Sequence, residues 1–205
     1  MGHAITLHKP LRLNKHDDRL FSTNGTPADA ILLGVKGLLP GRPDLVISGI
    51  NKGPNMGQDV TYSGTVAAAK EAAFMEIPSM AVSLNGRKDF LFEAAALSVR
   101  EIVEKLRGSR LPEHTFLNVN IPNLLRESIK GFMVTSLGKR RYNGRVVERT
   151  DPRGGAYYWI SGDGDAFEPA QGTDLLAVSQ GFVSITPLHW DTTTYAAIEA
   201  FREIF

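Results

Sequence analysis

Three short apolar runs, at residues 44–48, 79–83 and 116–121, alternate with stretches of helix-forming residues. Apolar runs of this length are typical of strands that are buried on both faces of a parallel sheet. Helices are expected between them, from about residue 63 to residue 73 and over residues 89–107, where alanine, leucine and glutamate are frequent. Strands that alternate with helices pack as an α/β sheet. We therefore predict an α/β fold with a parallel sheet.

An earlier helix is predicted from its start signal. Thr26 is a suitable cap, Pro27 occupies the first helical position, and Asp29 follows three residues after the cap. This helix should carry the apolar residues 30–33 and stop near Pro40.

The pattern changes between Gly131 and Gln180, where β-type pieces at residues 132–135 and 157–160 are separated by many Gly, Asp and Arg residues. This pattern indicates a β-hairpin arm that leaves the main sheet. A long two-stranded arm is marginally stable alone in water, so we expect it to pack on another subunit through Tyr157, Tyr158 and Trp159.

A last strand at residues 182–188 and a closing helix at residues 192–205 complete the prediction. We divide the chain into a core at residues 1–130 and a C-terminal segment at residues 131–205 that makes a homodimer or homotetramer. The segment comprises the hairpin arm, the last strand and the terminal helix.

The composition argues against several classes of partner. A formal net charge of +1 gives no electrostatic reason to bind a nucleic-acid polymer or a membrane surface. No apolar run approaches the roughly 18 residues that a transmembrane helix needs. Cysteine is absent, which excludes disulfides and thiolate metal sites and favours a cytoplasmic location.

Residues 49–57 (GINKGPNMG) form a loop rich in glycine and asparagine directly after a buried strand. In open α/β sheets, ligands bind at the carboxyl ends of the strands, where this loop must lie. Asn51 could offer an oxygen to a metal, and Asn55 could orient a phosphate. Soon afterwards Ser63, Gly64 and Thr65 open a helix, whose free amides and dipole suit an anion. We predict a phosphate-binding site here.

An ordinary strand-loop-helix connection would explain the same residues, with Ser63 as a simple cap and the glycines as turn residues. The loop also lacks the G-x-G-x-x-G spacing of dinucleotide-binding folds and the G-x-x-x-x-G-K-[ST] spacing of P-loops.

A family resemblance favours the functional interpretation. Residues 48–67 (SGINKGPNMGQDVTYSGTVA) resemble the signature stretch of the SurE (survival protein E) family, and further matches follow in order over essentially the whole chain. They are GHAIT (2–6), GTPAD (25–29), RPD (42–44), NVNIP (118–122), DPRG (151–154), GTD (172–174) and GFVSITPLH (181–189).

The resemblance implies a Rossmann-like, doubly wound sheet and a phosphatase of nucleoside 5'- and 3'-monophosphates that also acts on short polyphosphate. It implies a divalent cation, Mg²⁺ or Mn²⁺, held by an Asp-Asp pair, a serine and an asparagine. Of these ligands only the asparagine carries over, onto Asn51.

The family's first strand-helix-strand unit, which holds the other ligands, is expected to precede Gly2, so roughly forty residues should be absent. The catalytic residues are therefore unknown and expected in that unit. One neutral asparagine is a poor site for Mg²⁺. This chain alone is expected to fold poorly and to have little phosphatase activity.

Three other features are interpreted as structural. Asp17 and Asp18 should lie in a solvated turn, and residues 162–165 (GDGD) should form a loop rather than a calcium site. His189 is interpreted as a structural histidine paired with an acid at a strand end, with a proton donor as the alternative. The rival functions are a Rossmann-type dehydrogenase and a non-catalytic oligomerisation scaffold.

Overall fold

The computed structural model describes residues 2–141, 144–161 and 167–205 of the chain. Its strands and longer helices follow in this order: β1 (Leu13–Lys15), β2 (Phe21–Thr23), α1 (Pro27–Leu33), β3 (Val46–Lys52), α2 (Gly64–Phe74), β4 (Ser79–Asn85), α3 (Phe92–Leu106), β5 (Thr115–Pro122), β6 (Phe132–Val134), β7 (Arg145–Thr150), β8 (Ala156–Ser161), α4 (Asp174–Ser179), β9 (Val183–His189) and α5 (Tyr195–Arg202).

Five strands form the central sheet in the order β3-β4-β5-β9-β6. β3, β4 and β5 are mutually parallel, whereas β9 runs antiparallel to β5 and parallel to β6. The α/β class is confirmed, with a sheet that is mixed rather than wholly parallel. The strands predicted at residues 44–48, 79–83 and 116–121 correspond to β3, β4 and β5.

Helices cover both faces of this sheet, as in a doubly wound fold. Met80 and Val82 of β4 point to the α3 side and pack with Val99 and Ile102. Ala81, between them, points to the α2 side. Successive strand residues face opposite sides, so a strand with apolar residues on both faces must be covered twice.

The direction of the strands decides where a site can form. β3, β4 and β5 all end at one edge of the sheet, which we call the carboxyl edge. Thr115 pairs with His189, so β9 ends at the opposite edge. The loop after β3 and the beginning of α2 lie at the carboxyl edge.

Part of the arm prediction is wrong. Residues 132–134 form β6, which pairs with β9 in the central sheet rather than in the arm. The hairpin consists of β7 and β8, and β9, which we assigned to the C-terminal segment, lies between β5 and β6. The short helix α4 was not predicted. Sequence pattern alone cannot show which partner a three-residue strand will choose.

The hairpin and α5 have many exposed apolar side chains. Trp159 and Ile160 of β8 are 62% and 88% exposed. Tyr195 and Phe201 of α5 are also exposed, and within the described residues α5 has no buried side chain. The predicted GDGD loop lies outside the described residues. No helix in the described ranges is long and apolar enough to cross a membrane.

The turn between β1 and β2 holds the first acid pair. Asp17 Oδ1 accepts hydrogen bonds from the backbone amides of Arg19 and Leu20, and Asp18 pairs with Lys15 at the surface. The prediction of a solvated turn is confirmed.

The predicted cap of α1 is confirmed and reaches further than the sequence indicated. Thr26 Oγ1 accepts from the Asp29 amide at 3.1 Å, while Asp29 Oδ2 accepts from the Thr26 amide at 2.8 Å. The same carboxylate accepts from the amide and the hydroxyl of Thr6 at 2.9 and 2.7 Å. Asp29 therefore ties the N-terminal segment to α1.

These contacts set the charge state of Asp29. Burial alone would raise its pKa, but hydrogen bonds from Thr6 and Thr26 outweigh it and lower the pKa to about 2. Hydrogen bonds to the charged form stabilise that form. The stability that this carboxylate contributes is therefore present above its unfolded pKa of about 3.9 and is lost as the pH falls through its folded pKa.

We predict that Asp29→Ala lowers the free energy of unfolding by about 2 kcal/mol at pH 7, since it removes a helix cap and charge-assisted hydrogen bonds. The difference from the wild type should shrink as the pH falls from about 4 towards 2. Urea unfolding at several pH values measures it, with the exposed Asp44→Ala as the matched control. A difference that is independent of pH would contradict this assignment.

Candidate phosphate-binding site

Helix α2 begins at the carboxyl edge with two amides that have no hydrogen-bond partner among the described residues. Ser63 caps the helix: its Oγ accepts from the Val66 amide at 3.1 Å, and its carbonyl accepts from the Ala67 amide at 3.0 Å. The first four amides of a helix have no intrahelical partner, so Gly64 and Thr65 keep theirs for an external acceptor. All three predicted residues, Ser63, Gly64 and Thr65, are half-buried and lie together.

Asn51 lies near the end of β3 at the same edge, opposite Ser83 of β4. Its Nδ2 donates to the carbonyls of Gly53 at 3.0 Å and Lys52 at 3.3 Å. These contacts orient the carboxamide so that Oδ1 is left as an acceptor. A neutral oxygen of this kind can bind a cation or accept a hydrogen bond, but it cannot bind a phosphate oxygen.

Asn55 is a buried residue of the loop and belongs to a polar network. Its amide donates to Asn120 Oδ1 at 2.8 Å, and its carbonyl accepts from Asn120 Nδ2 at 2.9 Å and from Asn118 Nδ2 at 2.8 Å. Its own Nδ2 donates to Ser83 Oγ at 2.6 Å. These contacts give Asn55 a structural role, and its role as a phosphate ligand stays a prediction.

Gly57, two residues after Asn55, is held by a hydrogen bond to Asp174. The carboxylate of Asp174 is fully buried and accepts from the amides of Gly57, Gly138 and Leu175 at 2.8–2.9 Å. Gly57 has a φ of +56°, and a Cβ there would lie 2.7 Å from the Gly138 carbonyl oxygen. The junction therefore requires glycine. The GTD match was the sequence signal for Asp174, but nothing in it indicated these partners.

A second acid pairs with a base beside this junction. Asp59 Oδ2 lies 3.1 Å from Arg140 Nε, and the Arg140 amide donates to Gln58 Oε1. Burial raises the pKa of Asp59. The charge of Arg140 lowers this pKa and the charge of nearby Asp174 raises it, and the net shift is upward. Neither Asp59 nor Arg140 was singled out from the sequence, because their relation depends on residues far apart in the chain.

The beginning of the described chain lies along α2. A Cβ on Gly2 would lie 3.2 Å from the Thr61 carbonyl oxygen, close to Ser63. His3 Nε2 lies 2.7 Å from Glu71 Oε2, and its ring stacks on Phe74. The GHAIT match marks these residues but does not indicate this pairing.

The opposite edge of the sheet carries none of the predicted phosphate-binding or metal-binding residues. His189 lies at the end of β9, and its Nδ1 is 2.9 Å from the backbone carbonyl oxygen of Asp191. The carboxylate of the same Asp191 also interacts electrostatically with His189, and the structural interpretation of this histidine stays a prediction. A cavity of about 430 Å³ at this edge is lined by residues that include Ile77, Leu111 and His114. We place the candidate site at the carboxyl edge because the predicted residues meet there.

The described residues do not fit a complete site for Mg²⁺ or Mn²⁺. Within the described ranges, no group of three or more His, Cys, Asp or Glu side chains converges as metal ligands would. Asn51 offers one neutral oxygen, whereas such ions are usually bound through carboxylates.

The comparisons with known proteins identify the family. A family model described as "Survival protein SurE" matches residues 1–144. "5'-nucleotidase SurE" of Geotalea daltonii is 49% identical over 208 residues, which cover all of this chain and 84% of that protein. The protein of the same name from Aquifex aeolicus is 46% identical, covering 98% of this chain and 81% of its own length.

A solved structure agrees with these matches. The crystal structure of the SurE protein from Aquifex aeolicus superposes with a TM-score of 0.89 at 45% identity, covering 99% of this chain and 83% of that chain. The absence of a first strand-helix-strand unit stays a prediction. The chain belongs to the SurE family.

Proposed function

We propose that this chain is a 5'-nucleotidase that hydrolyses nucleoside 5'-monophosphates. The observation that carries this proposal is the start of α2, where the amides of Gly64 and Thr65 lie at the same edge of the sheet as Asn51. Relatives that are nearly half identical over almost the whole chain carry the name 5'-nucleotidase. Family membership replaces the dehydrogenase alternative, and the scaffold alternative is not favoured.

The chain's own residues can bind and orient the phosphoryl group. Its oxygens would accept hydrogen bonds from the Gly64 and Thr65 amides and from the Thr65 hydroxyl. Ser63 Oγ already accepts from Val66, so its hydroxyl hydrogen is the part that remains for the ligand. Donors that are fixed before the reaction stabilise the charge that develops on these oxygens in the transition state.

A divalent cation, when bound, would neutralise phosphoryl charge and activate water. We keep Mg²⁺ or Mn²⁺ and the Asn51 ligand as proposals, and we assign no step to them because the described residues do not complete the site. Action on 3'-monophosphates and polyphosphate, and a cytoplasmic location, are likewise proposals.

The assembly is proposed from exposed apolar surface. Trp159 and Ile160 of the hairpin and Phe201 of α5 are exposed in the single chain. We propose that the hairpin and α5 bind other copies of the chain as a homodimer or homotetramer. Large apolar side chains that group at an exposed surface mark interaction sites.

We predict that Thr65→Val raises the KM for a nucleoside 5'-monophosphate about tenfold or more, since one hydrogen bond to a charged group is lost. The substitution preserves the shape of the side chain and leaves the Ser63 cap intact. Phosphate release measures the effect, and the dissociation constant of inorganic phosphate checks it independently of turnover. Thr192→Val, an exposed threonine near the opposite edge, is the matched control. Equal values for both variants would contradict the proposal.

We predict that the chain binds Mn²⁺ weakly and that Asn51→Asp tightens this binding, because a carboxylate replaces a neutral oxygen at the same position. Asn51→Ala should bind Mn²⁺ more weakly than the wild type, with little change in the free energy of unfolding. Calorimetric titration with Mn²⁺ measures all three, with the exposed Asn14→Asp as the control. Tight binding that is unaffected by either change at Asn51 would place the ligands elsewhere.

A further inference from the structure

Two asparagines occupy the middle of the buried strand β5. Asn118 and Asn120 are both 0% exposed, and they alternate with the apolar residues Leu117, Val119 and Ile121. The pairing of β5 with its neighbours uses backbone groups, so these side chains are not needed to form the sheet. Buried carboxamides are costly unless they are hydrogen-bonded. Their presence therefore needs another reason.

The contacts of Asn120 supply that reason. Its Oδ1 accepts from the Asn55 amide at 2.8 Å, and its Nδ2 donates to the Asn55 carbonyl at 2.9 Å. One carboxamide thus bonds both the backbone amide and the backbone carbonyl of Asn55. A neighbouring strand would satisfy the same two groups. The arrangement also fixes which end of the carboxamide is oxygen, because the Asn55 amide can only donate.

Asn118 reinforces the same loop residue. Its Nδ2 donates to the Asn55 carbonyl at 2.8 Å, while its Oδ1 is buried with no hydrogen-bond partner among the described residues. A buried acceptor without a partner is unfavourable. The hydrogen bond from Asn118 Nδ2 to the Asn55 carbonyl therefore explains why an asparagine occupies this position.

The anchored residue lies between the two parts of the candidate site. Asn55 follows Asn51 by four positions and precedes Ser63 by eight. Met56 is buried next to it, and Asp174 holds the following amide, that of Gly57. Consecutive anchors at residues 55, 56 and 57 leave the path from β3 to α2 little freedom.

We propose that Asn120, assisted by Asn118, is a positioning residue for the phosphate site. It acts through Asn55, and it sets the path of the loop that joins Asn51 to the N-terminus of α2. This inference rests on the proposed phosphate site of the 5'-nucleotidase. Asn120 need not touch the substrate.

The test compares two buried polar positions on the same face of the sheet. Asn120→Ala removes both hydrogen bonds between the Asn120 carboxamide and the Asn55 backbone. Thr135→Val removes a buried hydroxyl that is hydrogen-bonded to the hydroxyls of Ser184 and Thr186, at 2.8 and 2.7 Å, and that is not hydrogen-bonded to any of residues 51–57. Both variants should lower the midpoint of thermal unfolding, because both lose buried hydrogen bonds.

Phosphate binding separates the two variants. The dissociation constant of inorganic phosphate, measured by ³¹P line broadening well below the unfolding midpoint, should rise about tenfold or more in Asn120→Ala. It should change less than about twofold in Thr135→Val. Equal affinity in folded Asn120→Ala and the wild type would overturn the positioning role.

A second variant serves if Asn120→Ala does not fold. In Asn120→Asp the introduced carboxylate keeps the acceptor for the Asn55 amide but has no donor for the Asn55 carbonyl. Protonation restores a donor, and burial raises the pKa of such a carboxyl. Phosphate affinity relative to the wild type should therefore recover as the pH is lowered. A ratio that is independent of pH would also overturn the proposal.

The outcomes distinguish this proposal from the one on which it rests. A wild-type chain that neither binds inorganic phosphate nor releases it from a nucleotide would contradict the proposed function. A wild-type chain that binds phosphate, beside an Asn120→Ala variant that binds it equally well, would contradict only the positioning role.

Discussion

The hydrogen bonds between the Asn120 carboxamide and the Asn55 backbone anchor the loop at the carboxyl edge of this protein. They connect the middle of the central sheet to residues 53–56, which lie between the end of β3 and the 3-10 helix Gly57–Tyr62. Asn118 of β5 and Ser83 of β4 make further hydrogen bonds with Asn55. The carboxylate of Asp174 accepts a hydrogen bond from the Gly57 amide. In a buried environment these bonds are strengthened by the low dielectric and are costly to break. The loop is therefore held by the sheet.

The other parts of the candidate site lie close to Asn55 in the chain. Asn51 lies near the end of β3, the chain turns at Gly57, and α2 begins at Gly64, directly after its cap Ser63. The amides of Gly64 and Thr65 are the ones available to an anion. Helices on both faces keep the sheet covered, so the carboxyl edge is where polar groups can meet a ligand. The exposed apolar residues of the hairpin and α5 lie outside this machinery and suit contacts between copies of the chain.

The sequence predicted the features that depend on neighbours in the chain. The cap of α1 joins Thr26 and Asp29, three residues apart, and it was recognised from those residue types alone. β3, β4 and β5 were recognised from apolar runs. The contact of Asn55 with Asn120 and that of Gly57 with Asp174 were not predicted, because these partners lie 65 and 117 residues away. For the same reason residues 132–134 were assigned to the arm, although they form β6 of the central sheet.

The most direct test of this account is the hydrogen exchange of the Asn55 backbone amide, followed by NMR in the wild-type chain. If the Asn120 carboxamide holds this amide, it should exchange as slowly as the amides of β5, since both are then released by the same large-scale opening. Exchange of the Asn55 amide at the rate of an open loop, while the amides of β5 stay protected, would contradict the account.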